Sequence, residues 1–204
     1  MILSGRLKPG QRVGERDLGA LLKVSRTPIR EALGRLVQDG LVESRPQRGH
    51  FVQAIDGKVV EDLYELRELL ELHAIKLAVR RATAEDFAEL DSLAAVLRKY
   101  DRDETQGEAE LRDAQILHEL IGRAARSQPL LEMLKRVYDR LQMFIWIDAL
   151  YADEATLTRR EHREIIAAFK ARDERKLTKL SREHLRRSKA NVLRVLKARP
   201  TLSA

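Results

Sequence analysis

Three histidines in the second half of the chain have the chemistry and the placement to bind a metal ion. His118, His162 and His184 are separated by 44 and then by 22 residues, and each lies on a different predicted helix. Helices in a bundle point their inner faces at one another, so three imidazoles can converge on one cation, joined by a nearby carboxylate. Single histidines on helices are more often surface or hydrogen-bonded core residues, so spacing alone leaves the metal site as the weaker interpretation.

A second group of residues, near the N-terminus, has side chains suited to DNA. Ser25, Arg26, Thr27 and Arg30 lie at the exposed N-terminal end of a predicted helix. A helix N-terminus attracts phosphate, hydroxyl groups bond backbone oxygens, and an arginine fork matches the N7 and O6 atoms of guanine in the major groove. We therefore expect Arg26 and Arg30 to read the bases of double-stranded DNA.

A helix-turn-helix positions these side chains. Residues 15–52 begin with a helix that carries an apolar stripe, followed by a turn at residues 23–26 and a second helix that Thr27 is predicted to cap. Pro28 fits the first turn of the second helix, where a missing backbone donor costs nothing. Gly40 is predicted to end that helix.

The same segment continues into a predicted hairpin. Strands at residues 41–44 and 51–52 are expected to pair around a polar tip at 45–50, which would act as a wing against the adjacent minor groove or the DNA backbone. Charge also favours a polyanionic partner. The net charge is +7, and residues 1–52 carry ten Lys and Arg against five Asp and Glu.

The whole chain reads as a mainly α protein of two domains. Its 204 residues are 35% charged and 4% aromatic, which is typical of helices with charged outer faces. Because eight of the ten glycines lie at or before Gly57, we predict a small winged helix-turn-helix at 1–54, a linker at 55–58 and an all-α antiparallel helical bundle at 59–204. The bundle helices are predicted near residues 58–81, 84–100, 108–125, 129–151, 158–171 and 173–197. Thr158 and Glu161 have the spacing of a capping box at the start of the fifth of these helices, and Asp173 is predicted to cap the sixth.

Two absences in the sequence exclude classes of function. There is no cysteine, so disulfides, thiolate metal sites and a cysteine nucleophile are impossible, which fits the cytoplasm. No apolar run approaches the roughly 18 residues that a membrane-spanning helix needs, so no membrane association is expected.

The segment ERDLGALLKVSRTPIREALGRLVQDGLVESRPQRGHFV resembles the winged helix-turn-helix of GntR-type bacterial regulators, most specifically in VSRTPIREAL. Such domains normally begin with an extra helix, whereas MILSGRLKPGQRV preserves only its end and the following turn, so a less well covered core is expected. The resemblance implies DNA contacts from Arg16, Ser25, Arg26, Thr27, Arg30, Arg48, Gly49 and His50. For Arg16 the alternative is an ordinary solvated arginine on a helix, and for His50 it is a loop residue with no role in binding.

Four later segments, DLYELRELLELHAIKLAV, DAQILHELIGRAA, EHREIIAAF and EHLRRS, resemble the FadR C-terminal effector domain. In many members an Asp and three His bind one divalent metal beneath a pocket for a small carboxylate, which implies Asp113, His118, His162 and His184 as ligands here. The family spacing is Asp-x3-His, whereas Asp113 and His118 are five residues apart, about 140° rather than about 40° around a helix. Asp113 would need a helix bulge, or another ligand replaces it. Such nitrogen and oxygen ligands suit zinc, nickel or manganese.

Two arginines are candidates for binding the effector acid. Arg67 lies in ELRELLE, where the resembled family often places an arginine facing the pocket, and it could pair with a carboxylate through two hydrogen bonds. An internal ion pair between Arg67 and Glu71, one turn on, is the alternative. Arg140, in VYDRLQMF, is the second candidate.

Together these features predict a homodimeric transcriptional regulator that reads a two-fold operator and responds to a small carboxylic acid. Two alternatives are a metal-dependent hydrolase and a metal-free architectural DNA-binding dimer. The hydrolase is weaker than the regulator hypothesis, since the sequence contains no HExxH helix, nucleophile elbow or phosphate-binding glycine loop. We therefore expect no enzyme activity.

Overall fold

The computed structural model describes residues 1–2, 6–54, 56–101, 107–151 and 155–198, and within these ranges it leaves out the side chains of 101–114, 143, 145–151 and 155. The fold is mainly α-helical, with a small sheet near the N-terminus, as the sequence predicts. The helices are α1 (Glu15–Leu22), α2 (Arg26–Gln38), α3 (Gly57–Arg81), α4 (Ala84–Leu97), α5 (Gly107–Ala124), α6 (Gln128–Tyr151), α7 (Ala155–Lys170) and α8 (Glu174–Ala198). The strands are β1 (Arg12–Val13), β2 (Val42–Arg45) and β3 (Gly49–Val52).

We call residues 12–52 the winged helix and residues 57–198 the helical bundle. In the winged helix, α2 starts earlier than predicted. Ser25, in extended conformation, is its N-cap, and Thr27 is already helical. The first four N–H groups of a helix lack intrahelical acceptors, so Pro28 is tolerated two residues further in. The predicted stop is confirmed, since Gly40 has a φ of +73° and the Leu41 N–H bonds back to the Leu36 carbonyl at 2.9 Å.

The wing is a three-stranded antiparallel sheet in the order β1-β3-β2. The hairpin pairs Val42 with Val52 and Arg45 with Gly49, so the turn at its tip is shorter than predicted. Strand β1 was not predicted, because two residues are too few to show an alternating pattern.

The winged helix leaves apolar side chains uncovered beside α1. Leu21, Leu22 and Val24 are exposed by 61%, 50% and 46%, whereas Ile2 and Val13 are buried in the core.

The helical bundle is built around α3, which packs against α5, α6 and α8. Helix α8 follows Asp173, whose carboxylate accepts a hydrogen bond from the Lys176 backbone N–H at 2.9 Å, as expected of the predicted N-cap. Helix α7 begins at Ala155 instead of the predicted Thr158, so Thr158 is not its cap. In the described ranges, none of the helices combines the length and the apolar character that crossing a membrane requires.

The winged helix and the bundle share a hydrophobic core. Ile29 and Leu33 of α2 belong to the same buried cluster as Tyr64 of α3, Leu141 of α6 and Val192 of α8. Because protein cores are close-packed, a displacement of α3 or α6 is felt at α2.

Candidate metal centre and nucleic-acid interface

The three predicted histidines converge in the centre of the bundle. His118 comes from α5, His162 from α7 and His184 from α8, and their side chains are buried. Their candidate ligand atoms all lie within 4.8 Å of one another. Three helices distant in sequence therefore bring three imidazoles to one point.

The closest approach in the cluster matches the geometry of a metal ion. The Nε2 atoms of His162 and His184 are 3.4 Å apart. A tetrahedral ion with Zn–N bonds of about 2.1 Å separates its ligand atoms by about 3.4 Å. The donor set of three imidazoles thus fits a zinc-like ion.

Two carboxylates form hydrogen bonds with the Nδ1 atoms of two of these imidazole rings. Glu71 Oε2 lies 3.0 Å from Nδ1 of His118, and Glu161 Oε2 lies 2.7 Å from Nδ1 of His184. An Nδ1–H that donates to a carboxylate leaves Nε2 unprotonated and free to bind metal, which is the usual arrangement behind metal-ligating histidines.

The electrostatics keep the site in its metal-binding protonation state. Burial lowers the pKa of His184 to about 4 despite its hydrogen bond with Glu161, and burial lowers the pKa of His162 well below its usual range. Burial opposes the ionisation of Glu161, yet hydrogen bonds from His184 and Arg187 lower its pKa to about 2. His162 and His184 are therefore neutral, and Glu161 behind His184 is ionised, as metal binding requires.

Arg67 forms the internal ion pair that the sequence left open. Its Nε donates to Glu71 Oε1 at 2.5 Å, and both side chains are buried. The guanidinium also lies 5.9 Å from the ring of Tyr64 and 5.3 Å from that of Tyr138. Glu71 therefore joins Arg67 to His118, which brings a buried positive charge close to the histidines.

Removing Arg67 should destabilise the protein because it leaves Glu71 buried without its main counter-charge. We expect Arg67→Leu to lower the free energy of unfolding in urea by about 3–5 kcal/mol. The control is Lys58→Leu, which breaks the exposed pair with Asp62, also one turn apart on α3, and should cost less than about 1 kcal/mol. Equal losses for the two variants would contradict a buried, energetically coupled pair.

Tyr138 supplies an orphaned polar atom beside the cluster. Its side chain is 2% exposed, and its hydroxyl has no hydrogen-bond partner among the described residues. Its ring centroid lies 6.4 Å from that of His118. Burial and the Glu71 charge raise its pKa, so the hydroxyl stays protonated as a donor. The Glu71 carboxylate lies near this hydroxyl without forming a well-aligned hydrogen bond, so an anionic ligand at the histidines would offer it a better acceptor.

The sequence did not predict the network behind His184. Arg187 donates to both oxygens of Glu161, at 2.7 and 2.6 Å, and to Thr158 Oγ1 at 3.0 Å. The available signal was adjacency: Glu161 precedes one candidate ligand, and Arg187 follows another by three residues.

Two further predicted site residues are Asp113 and Arg140. The side chain of Asp113 lies outside the described residues. The Arg140 guanidinium packs against the backbone of Gly40, with Nε 3.2 Å from where a Cβ would stand. Arg140 therefore contacts the winged helix at the end of α2.

The residues predicted to contact DNA lie on the winged helix, and most are exposed. Arg26 and Thr27 open α2, Ser25 precedes it, and Arg16 lies in the first turn of α1. Arg30 is also exposed, and it donates two hydrogen bonds to Glu15, at 2.9 and 3.0 Å. The exposed start of α2 thus presents arginines to solvent.

The wing residues share this surface. Arg48 and Gly49 are exposed at the hairpin, and His50, half-buried on β3, is close enough for its charge to lower the pKa of Glu15 after the larger effects of Arg30. Gly49 has a φ of +93°, so a side chain there would strain the backbone.

Exposed arginines on a winged helix, joined to a helical bundle, are the features of a DNA-binding regulator. The chain belongs to the gntR family of bacterial regulatory proteins, whose model matches residues 1–52, and the FCD domain model matches residues 62–187. It is a DNA-binding transcriptional regulator. Its relatives are transcriptional regulators, which confirms the expectation that it is not an enzyme. The same finding argues against the metal-dependent hydrolase.

Individual relatives cover nearly the whole chain. The Nta operon transcriptional regulator of Aminobacter aminovorans is 30% identical, over 98% of this chain and 93% of that protein. The structure of E. coli McbR/YncC has a TM-score of 0.82 and 25% identity, over 95% of this chain and 92% of that one. The Zn²⁺-bound FCD domain of TM0439 shares the fold, with a TM-score of 0.56 and 19% identity, over 70% of this chain and 97% of that one.

Proposed function

We propose that this regulator is a homodimer whose affinity for a two-fold DNA operator changes when a small carboxylic acid binds at a divalent metal ion in the helical bundle. The histidine cluster carries the proposal: three buried imidazoles point at one place, and two are backed by carboxylates. The carboxylates bond the Nδ1 atoms of His118 and His184, which is the arrangement that leaves Nε2 as the metal-binding atom. The Zn²⁺-bound FCD domain of TM0439 supports the same interpretation.

His118, His162 and His184 would hold the metal, which we expect to be zinc, nickel or manganese. Asp113 is proposed as a fourth ligand on the family resemblance alone. A bound ion would offer an open coordination position to the acid's carboxylate. Arg67 would add positive charge close by, and we add the Tyr138 hydroxyl as a hydrogen-bond donor to the acid.

Arg140, the second effector candidate, is better suited to relaying the signal. Helix α6 carries Tyr138 beside the histidines and Arg140 against Gly40 at the end of α2. A movement of α6 on effector binding would therefore reach the DNA-binding helix directly.

On the DNA side, Arg26 and Arg30 would read bases while the other candidates contact phosphates or the minor groove. One winged helix covers a short half-site, so a two-fold pair of chains multiplies the affinity. We place this activity in the cytoplasm, as expected of a regulator of this family. The proposed contacts are Arg16, Ser25, Arg26, Thr27, Arg30, Arg48, Gly49 and His50.

A thermal-shift screen of the metal-loaded protein with a panel of small carboxylic acids tests the proposal. At least one acid should raise the melting temperature, and removing the metal with a chelator should abolish that rise. Light scattering should give the mass of a dimer. A purified protein without metal, whose melting no acid shifts, would instead favour the metal-free architectural dimer.

A further inference from the structure

An acidic residue sits among the cationic groups of the proposed DNA surface. Glu15 begins α1 and accepts two hydrogen bonds from Arg30 of α2, with Nε on Oε1 at 2.9 Å and Nη2 on Oε2 at 3.0 Å. The charges of His50 and Arg26 also lower the pKa of Glu15, after the larger effects of Arg30. One proposed DNA-contacting residue therefore binds this carboxylate, and the charges of two more act on it.

Stability does not account for this pair. The Arg30 side chain is 71% exposed, and ion pairs at such positions typically contribute only about 0–1 kcal/mol. A carboxylate on a surface that meets phosphates also repels them, and it weakens binding to any DNA. We therefore look for the role of Glu15 in how the protein distinguishes one DNA sequence from another.

The geometry of the pair indicates that effect. A guanidinium has five N–H donors, along two edges that can each bind a pair of acceptors. Glu15 occupies the edge formed by Nε and Nη2, so the terminal edge formed by Nη1 and Nη2 remains to donate. That terminal edge is the fork that matches the N7 and O6 atoms of guanine.

We propose that Glu15 is a specificity-determining residue, which fixes the Arg30 guanidinium with its terminal edge toward a base. Its negative charge weakens binding to all DNA, and only a sequence that Arg30 reads recovers the affinity. The inference rests on the proposed role of Arg30 in reading DNA. Glu15 is a positioning residue, because it acts on the bases through Arg30. Holding the side chain in advance also lowers the entropy lost when Arg30 binds.

Fluorescence anisotropy with two duplexes of equal length tests the proposal. One is the duplex that the unaltered protein enriches most from a random library, and the other is its shuffled sequence. Glu15→Gln should reduce the ratio of selected to shuffled affinity by about tenfold, which corresponds to about 1.4 kcal/mol. The control Asp17→Asn removes an exposed charge from the same turn of α1, and it should strengthen binding to both duplexes alike.

A second comparison separates positioning from simple repulsion. In an Arg30→Ala background, Glu15→Gln should leave the affinity ratio unchanged, because the side chain it orients is gone. A ratio for Glu15→Gln equal to that for Asp17→Asn would overturn the inference. If Arg30→Ala alone leaves the affinity for the selected duplex intact, or the library yields no enriched sequence, the proposed DNA-reading role fails instead. Melting temperatures within a few degrees of the unaltered protein would confirm that each variant is folded.

Discussion

Replacing both Arg26 and Arg30 with alanine is expected to weaken binding to the selected duplex by about 100-fold or more. Each bidentate contact between an arginine and guanine is worth about 1–3 kcal/mol, and both side chains are exposed at the start of α2. Binding to shuffled DNA should fall much less, because phosphate contacts from other cations remain. Anisotropy titrations at a fixed salt concentration measure both affinities.

A variant with the same loss of charge elsewhere provides the control. Arg80→Ala/Arg160→Ala removes two arginines of the bundle that are 74% and 67% exposed. This variant should keep the preference for the selected duplex. If both double variants lose the same affinity, the effect is one of net charge, and α2 is not the recognition helix.

Removing the metal is expected to have the second largest effect, this time on stability. A ligand at about 1,000 times its dissociation constant stabilises the folded state by about 4 kcal/mol, which for a chain of this length raises the melting temperature by about 10 °C. The unaltered protein should lose this increment in a chelator and regain it with zinc. His162→Ala should show no such response, because it removes one of three buried ligands.

His73→Ala is the matched control for the metal experiment, because His73 is an exposed histidine on α3. It should respond to chelator and zinc as the unaltered protein does. A response in His162→Ala as large as in His73→Ala would show that the metal binds elsewhere.

Local signals in the sequence predicted much of the fold. Gly40 stops α2 because its backbone adopts a positive φ, and Asp173 caps α8 through its own side chain. The errors at Thr27 and Thr158 have one cause. A threonine near the start of an apolar pattern resembles a cap, but the helix can extend further back through residues that tolerate helical geometry.

The partners across the fold were harder to predict, because they join distant parts of the chain. The family resemblance indicated a site at His118, His162 and His184, yet the pairing of His184 with Glu161 needs α7 and α8 to be packed at a given rotation. Likewise, Glu15 and Arg30 belong to two helices whose crossing brings them together.

The most direct test of the proposed mechanism is the dissociation constant for the selected duplex, measured on zinc-loaded protein with and without the acid that stabilises it most. We predict a change of about 5- to 150-fold, the usual range of coupling between two sites, and no change in His162→Ala. The same dissociation constant with and without the acid in the unaltered protein would contradict a regulator controlled through the histidine cluster.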